Sequence, residues 1–253
     1  MVMITDPLFY LTAVPAVLIY GIGKGGLGGA LGIIAVPLMA LTTSPIEAAA
    51  ILLPLLFFMD IIAIWHHAKN CDYQQLKVML PPAVVGIAIA GYFLSVTPEY
   101  GLEILIGTLS VLFSLQYVTS NKPKRVPGKK QGYIWSLLSG FSSTTIHAGG
   151  GPISIYLLPQ GLGKMQVIGT MAVLFGAMNF FKLIPYIWLG KMNATNLSTS
   201  LALLPIAPIG VMLGVCLLNR VSQEKLYQLC YFFLFISGIK LLWDGVQEMP
   251  VLF

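Results

Sequence analysis

The chain has 253 residues, of which 57% are hydrophobic and only 9% are Asp, Glu, Lys or Arg. A soluble domain carries about a quarter charged residues, so this composition cannot supply the polar surface of a water-soluble globule and describes an integral membrane protein. The formal charge of +5 is too small and too dispersed for the dense basic face a nucleic-acid partner requires.

The N-terminal stretch Met1-Val-Met-Ile-Thr-Asp-Pro7 has no basic region, and no small-residue cleavage site follows it, so the first apolar segment is expected to be retained. That segment is interrupted by the cluster Gly21-Ile-Gly-Lys-Gly-Gly-Leu-Gly-Gly29. Full-length apolar segments follow at about 46–65, 76–95 and 100–118. The run Asn121-Lys-Pro-Lys-Arg-Val-Pro-Gly-Lys-Lys130 is the one concentrated charge cluster and the natural linker. A second interrupted region contains Ser142-Ser-Thr-Thr-Ile-His-Ala-Gly-Gly-Gly-Pro152, and apolar segments at about 166–187, 200–218 and 226–244 complete the chain. Glycine and proline at that density break helices, and the flanking pieces of about 12–18 residues suit short or re-entrant helices better than full spans of about 20. Cys71, Cys216 and Cys230 have neither metal-ligand spacing nor an even count, and read as buried thiols. Trp65, Trp135, Trp188 and Trp243 fall at segment ends, as an interfacial aromatic belt requires.

The two interrupted regions begin two halves of an internal repeat. Val36-Pro37 answers to Leu158-Pro159 122 residues later, Leu80-Pro81 with Gly86 to Leu204-Pro205 with Gly210 at 124, and Val96 with Glu99 to Val221 with Glu224 at 125. The expected architecture is an all-α integral membrane protein of two inverted-topology repeats, residues 1–118 and 132–253, joined by a basic cytoplasmic linker at 119–131. Each repeat has a glycine-broken or re-entrant helix pair plus three full transmembrane helices. If each broken region returns to its starting side or crosses twice, the positive-inside rule places ten loop charges in the cytoplasm, among them Lys69, Lys77, Lys164, Arg220 and Lys225. Only Lys191 is then in an outside loop, and both termini are outside. Parallel halves of four crossings each divide the same charges 8 to 3.

Inverted halves with discontinuous helices mark secondary transporters, whose substrate site lies near the midplane at the repeat interface. Broken helix ends expose N–H groups, and glycine lets backbone approach an anion closely. The candidate substrate ligands are therefore Lys24 with the amides of Gly25, Gly26, Gly28 and Gly29, then Ser142, Ser143, Thr144 and His147 with the amides of Gly149, Gly150 and Gly151. Asn179 and Lys182 join them from the adjacent segment. Asp60, whose repeat counterpart is Asn179, and His147 are candidate coupling groups. Each feature also has a packing reading. Gly25/Gly29 and Gly28/Gly32 are small-residue pairs for close helix contact, Lys24 and Lys182 can snorkel, Asp60 can be an interfacial acid, and His147 can bond a backbone carbonyl in the core. Gly21-x-Gly23-x-x-Gly26 formally matches a dinucleotide fingerprint but lacks the strand and soluble βαβ unit which that motif needs. His66-His67 is expected in a loop, away from any metal site.

The run Gly23-Lys-Gly-Gly-Leu-Gly-Gly-Ala-Leu-Gly-Ile-Ile-Ala-Val-Pro-Leu38, with His147-Ala-Gly-Gly-Gly-Pro152 and Tyr156-Leu-Leu-Pro159, resembles the TauE/SafE family of sulfite and organosulfonate exporters. The resemblance spans essentially the whole chain, including the basic linker and Asn179–Pro185; Lys24 stands where the family motif often has only glycines. It implies a multi-pass protein of the bacterial inner membrane that moves a small sulfur-containing anion, such as sulfite or sulfoacetate. The expected mechanism is alternating access around the two broken regions, without a cofactor and with the lipid bilayer and the anion as partners; a homodimer is compatible with it. An interior-negative potential, worth about 2.3 kcal/mol per charge at 100 mV, drives anion export, whereas a proton- or sodium-coupled importer would work against that field. A membrane-embedded enzyme fits poorly, because the chain has three histidines, few acids and no HExxH or GxSxG motif.

Overall fold

The computed structural model describes residues 3–26, 30–119, 126–217 and 223–249, with backbone alone for 26, 30, 31, 119, 217, 223–227 and 229. The described residues form helices α1 (Pro7–Gly26), α2 (Ala35–Met39, after a 3-10 turn at Ala30–Ile34), α3 (Pro45–His67), α4 (Tyr73–Val96) and α5 (Glu99–Thr119). After the linker come α6 (Lys129–Ile146), α7 (Gly150–Leu157), α8 (Lys164–Trp188), α9 (Ala194–Leu203), α10 (Ile206–Leu217) and α11 (Gln223–Gln247). Five of the described helices are long and apolar enough to cross a membrane, and the bent α9–α10 pair brings the count to six if the two helices form one span. Many large apolar side chains point outward, Leu11, Trp65 and Met212 among them, and in a bilayer these face lipid. The chain is a multi-pass membrane protein.

Three elements differ from the sequence expectation. The helix before the first break is not a short piece: α1 runs 20 residues, through Pro15 and through Gly21, Gly23 and Gly25. Packing against α10 overrides glycine's poor helix propensity, since a Cβ on Gly25 would come 2.1 Å from the Val211 carbonyl oxygen and one on Gly214 2.4 Å from that of Ile22. In the same way α6 stays helical through Ser142–Thr145, and the break begins at His147. The third is the apolar segment at 200–218, which is two helices bent by 44° around Leu204-Pro205. His66 and His67, expected in a loop, are the last two residues of α3. Trp65, Trp188 and Trp243 are exposed near helix ends, whereas Trp135 lies within α6 and packs on the core around Tyr156.

Helix starts follow local chemistry. Ser44 caps α3 by accepting from the Glu47 N–H, with Pro45 in the first turn, and Asp72 caps α4 by accepting from Gln74 and Gln75. At α6 and α8 the third-residue glutamine reaches back, Gln131 Oε1 to the Gly128 N–H and Gln166 Oε1 to the Gly163 N–H, each at 3.1 Å.

Two helical hairpins lie in the chain, one at its start and one after residues 119–128. The first folds α2 back along α1, and Thr12 and Thr42 join their hydroxyls at 2.8 Å. The second folds α7 back along α6, and Gln160 Nε2 donates to the Pro127 carbonyl at 2.9 Å. The first hairpin closes near Ile4, whose N–H donates to Thr199 Oγ1, at the end of the bundle where α3 begins. The second closes near Tyr156, which donates to Gln75 Oε1, at the end where α3 finishes and α4 starts. Between them α3 and α8 pack side by side, α1 packs on α10, α6 on α4 and α5 on α11.

Candidate functional site

The tip of each hairpin brings its polar residues to the α3–α8 pair. Lys24, in the last turn of α1, is 5% exposed and forms an ion pair with Asp60 of α3 through Oδ1. The ammonium also sits 5.9 Å from the Tyr20 ring and 5.6 Å from the Phe175 ring, so aromatic faces share its charge. Asn179 of α8 donates from Nδ2 to the other oxygen, Asp60 Oδ2. Gly176, a turn before Asn179, lets α3 approach, because a Cβ there would meet Ile64 at 2.5 Å.

One turn beyond Asn179 lies Lys182, fully buried, with three acceptors: the Ser143 carbonyl at 2.9 Å, Ser143 Oγ at 3.1 Å and His147 Nδ1 at 2.7 Å. An ammonium has three N–H groups, so all are used. His147 Nε2 meets the Ala49 carbonyl at 2.9 Å. A carbonyl only accepts, so the proton is on Nε2 and Nδ1 offers its lone pair to Lys182. This geometry comes at a backbone cost: His147 is left-handed at φ 54°, a region that L side chains rarely adopt. Tyr20 donates to the His147 carbonyl at 3.2 Å and Tyr186 to the Thr144 carbonyl at 2.7 Å, which fixes the broken end from two sides.

The other expected ligands are placed as follows. Ser143 faces the cluster and, beyond accepting from Lys182, retains an O–H with no acceptor among the described residues. Ser142 spends its hydroxyl on the Leu138, Ser139 and Ala148 carbonyls, and Thr144 on that of Gly140. Gly25 lies against α10. Gly26 ends α1, whereas Gly28 and Gly29 lie outside the described residues, as do Lys122, Lys124, Arg125, Arg220 and Val221; Glu224 and Lys225 are described by backbone only. Gly149 is closely packed, with Ser139 Oγ donating to its carbonyl at 2.8 Å, and Gly150 and Gly151 begin α7; a Cβ on Gly151 would meet nothing within 4 Å. His67 is buried at the end of α3 with Nδ1 unpartnered, and its ring hydrogen-bonds the Gly25 backbone beside Lys24. Among the described residues no group of three or more His, Cys, Asp or Glu could hold a metal ion.

The arrangement gathers two ammonium groups and one carboxylate in a water-poor interior. Lys182 lies within electrostatic reach of both Lys24 and Asp60. With each group ionised the cluster carries one net positive charge, surrounded by hydroxyl and imidazole groups. Tyr20 and Tyr186 were missed in the sequence, although each stands four residues from a flagged lysine and so shares its helix face.

A sequence model of the sulfite exporter TauE/SafE family matches residues 13–241. The chain belongs to that family. The match begins within α1 and takes in the second hairpin, the linker and every residue of the cluster, and the family is one of transporters. No curated protein and no solved structure matches the chain.

Proposed function

We propose that this family member exports a small sulfur-containing anion, sulfite or an organosulfonate such as sulfoacetate, across the bacterial inner membrane by alternating access at the Lys24–Asp60–Asn179–Lys182–His147 cluster. The observation that carries this reading is the charge excess: two buried lysines face one carboxylate. A buried net charge is costly, and a bound anion neutralises it. The cluster also has depth. Ala49, which holds His147, and Asp60 are eleven residues apart on α3, about 16 Å of helix rise, so the α3 anchors of His147 and of Lys24 lie at different depths.

Inverted halves, at residues 1–118 and 132–253, belong to the same proposal. In support, the hairpins close at opposite ends of the bundle, and exchanging the halves turns the α1–α10 contact into α6–α4 while returning α3–α8 and α5–α11 to themselves. The protein acts by binding and carrying, not by catalysis. The test is sulfite efflux from proteoliposomes under an imposed potential. Lys182→Met removes the ammonium that would exchange one of its present bonds for a charge-assisted hydrogen bond to the anion, about 1.5–3 kcal/mol, and is expected to weaken half-saturation about ten- to a hundredfold. Wild-type half-saturation in that variant would remove the charge argument. Coupled uptake is the second reading, favoured by the buried carboxylate of Asp60; counterflow with a potential but no ion gradient separates the two.

A further inference from the structure

Asp60 has both oxygens engaged, Oδ1 by Lys24 and Oδ2 by Asn179, and it is the one carboxylate of the cluster. While that pair stands, Lys24 cannot offer its charge to a substrate, and with Lys182 ionised the cluster presents one excess charge. A singly charged anion balances it. A doubly charged oxyanion leaves one negative charge over, unless a carboxylate is neutralised.

We propose that Asp60 is the built-in competitor for the substrate: it holds Lys24 between transport events, and when a doubly charged sulfur oxyanion binds, it takes up one proton and releases Lys24 to that anion. This rests on the reading of the cluster as an anion site. The proton comes from water on the side to which the site is open and goes to Oδ1, the oxygen Lys24 leaves; Oδ2 keeps Asn179. The new O–H donates to an oxygen of the anion, and no bond of the anion is made or broken. One negative charge then crosses per cycle, whether the cargo is a monoanion alone or a dianion with its proton.

The groups that face Asp60 permit this assignment. They are Lys24 and Tyr20 from α1 and Asn179 and Lys182 from α8, while His147 at the end of α6 faces Lys182 and Lys24. His67 lies two turns farther along α3. Neither α2 nor α9 carries a titratable side chain, Cys216 of α10 is exposed, and Glu99 and Glu103 of α5 lie with Asp244 and Glu248 of α11. His147 is the rival acceptor. Its Nδ1 faces the Lys182 ammonium, so a proton there requires that lysine to lose one.

The experiment is calorimetric titration of the purified full-length protein in buffers of different ionisation enthalpy. The probes are sulfate, a dianion across neutral pH, and methanesulfonate, a monoanion throughout. Sulfate is expected to bind with uptake of about one proton, its affinity falling about tenfold per pH unit once Asp60 is ionised beforehand; methanesulfonate is expected to bind with none. In Asp60→Asn the sulfate uptake and its pH dependence are expected to vanish. If that variant does not purify as a monodisperse protein, the double variant Lys24→Met, Asp60→Asn replaces it and is expected to bind sulfate weakly, without proton uptake. Sulfate binding to wild type without proton uptake overturns the proposal and leaves the anion site standing, as does uptake that persists in the Asn variants. Failure of both anions to bind wild type removes the anion site and this inference with it.

Discussion

Lys24 and Asp60 are tolerable in the interior only together. Removing one partner of a buried ion pair leaves an uncompensated charge and costs about 3–5 kcal/mol, whereas replacing both with uncharged side chains leaves no buried charge. Lys24→Met and Asp60→Asn are each expected to lower the thermal unfolding midpoint sharply, and the double variant to recover most of the loss; equal losses that simply add would show that the two side chains do not depend on each other. Lys24→Arg is expected to impair flux although charge is kept, because a planar fork does not fit between Asp60 and two aromatic rings as a compact ammonium does. The sequence pointed to Lys24 through its glycine surroundings and to Asp60 through its repeat counterpart Asn179. Their pairing was hidden, since they lie 36 residues apart on different helices and nothing local to either chooses the partner. One clue was present: Ser143 follows Lys24 at the same 119-residue offset that separates Asp60 from Asn179, so both halves put a polar pair at the same place.

At the scale of the helices, the glycines divide into those that bring backbones together and those that leave room. Gly25 and Gly214 seat α1 on α10, and Gly86 and Gly140 seat α4 on α6, with Cβ positions 2.0–2.4 Å from a carbonyl oxygen or its equivalent across the contact. Alanine at any of these must push two helices apart, because the obstacle is backbone. Gly25→Ala or Gly140→Ala is expected to cost the upper end of about 1–3 kcal/mol and to reduce the yield of monodisperse protein. Gly151→Ala, with open space at its Cβ, is expected to leave the melting midpoint unchanged. Equal effects at Gly140 and Gly151 in a thermal melt would sink this division. Glycine density located both breaks in the sequence but put them several residues too early, because propensity counts α1 and the end of α6 as poor helices and cannot see the neighbour that needs them glycine-rich. Pro205 misled in the opposite sense. Its segment is apolar enough to read as one span, yet it bends at the proline, while α4 continues through Pro81 and Pro82.

For the whole molecule, the reciprocal packing of the halves and the opposite closure of the hairpins turn topology into a question of which loops share a side. The Gln160 bond to the Pro127 carbonyl holds the start of α6 and the end of its hairpin together, and the Asp72 N–H bond to Thr170 Oγ1 brings the α3–α4 connection to the start of α8. Lys69, Lys77, Lys129, Lys130 and Lys164 therefore gather at one end of the bundle, which the positive-inside rule assigns to the cytoplasm. Lys191 lies at the other end, near the cluster of Ile46, Leu94 and Leu102 that Leu189 joins. Single cysteines in a variant lacking Cys71, Cys216 and Cys230 test this with a membrane-impermeant thiol reagent on intact cells. Labelling is expected at Glu99→Cys and Lys191→Cys and is not expected at Gly128→Cys or Gly163→Cys until the membrane is opened. The pair Gly163 and Lys191 decides, because parallel halves of four crossings exchange the sides of these two positions and leave Glu99 and Gly128 where they are. Labelling of Gly163→Cys from outside, with Lys191→Cys protected, would overturn the inverted arrangement and with it the two-ended hairpin site.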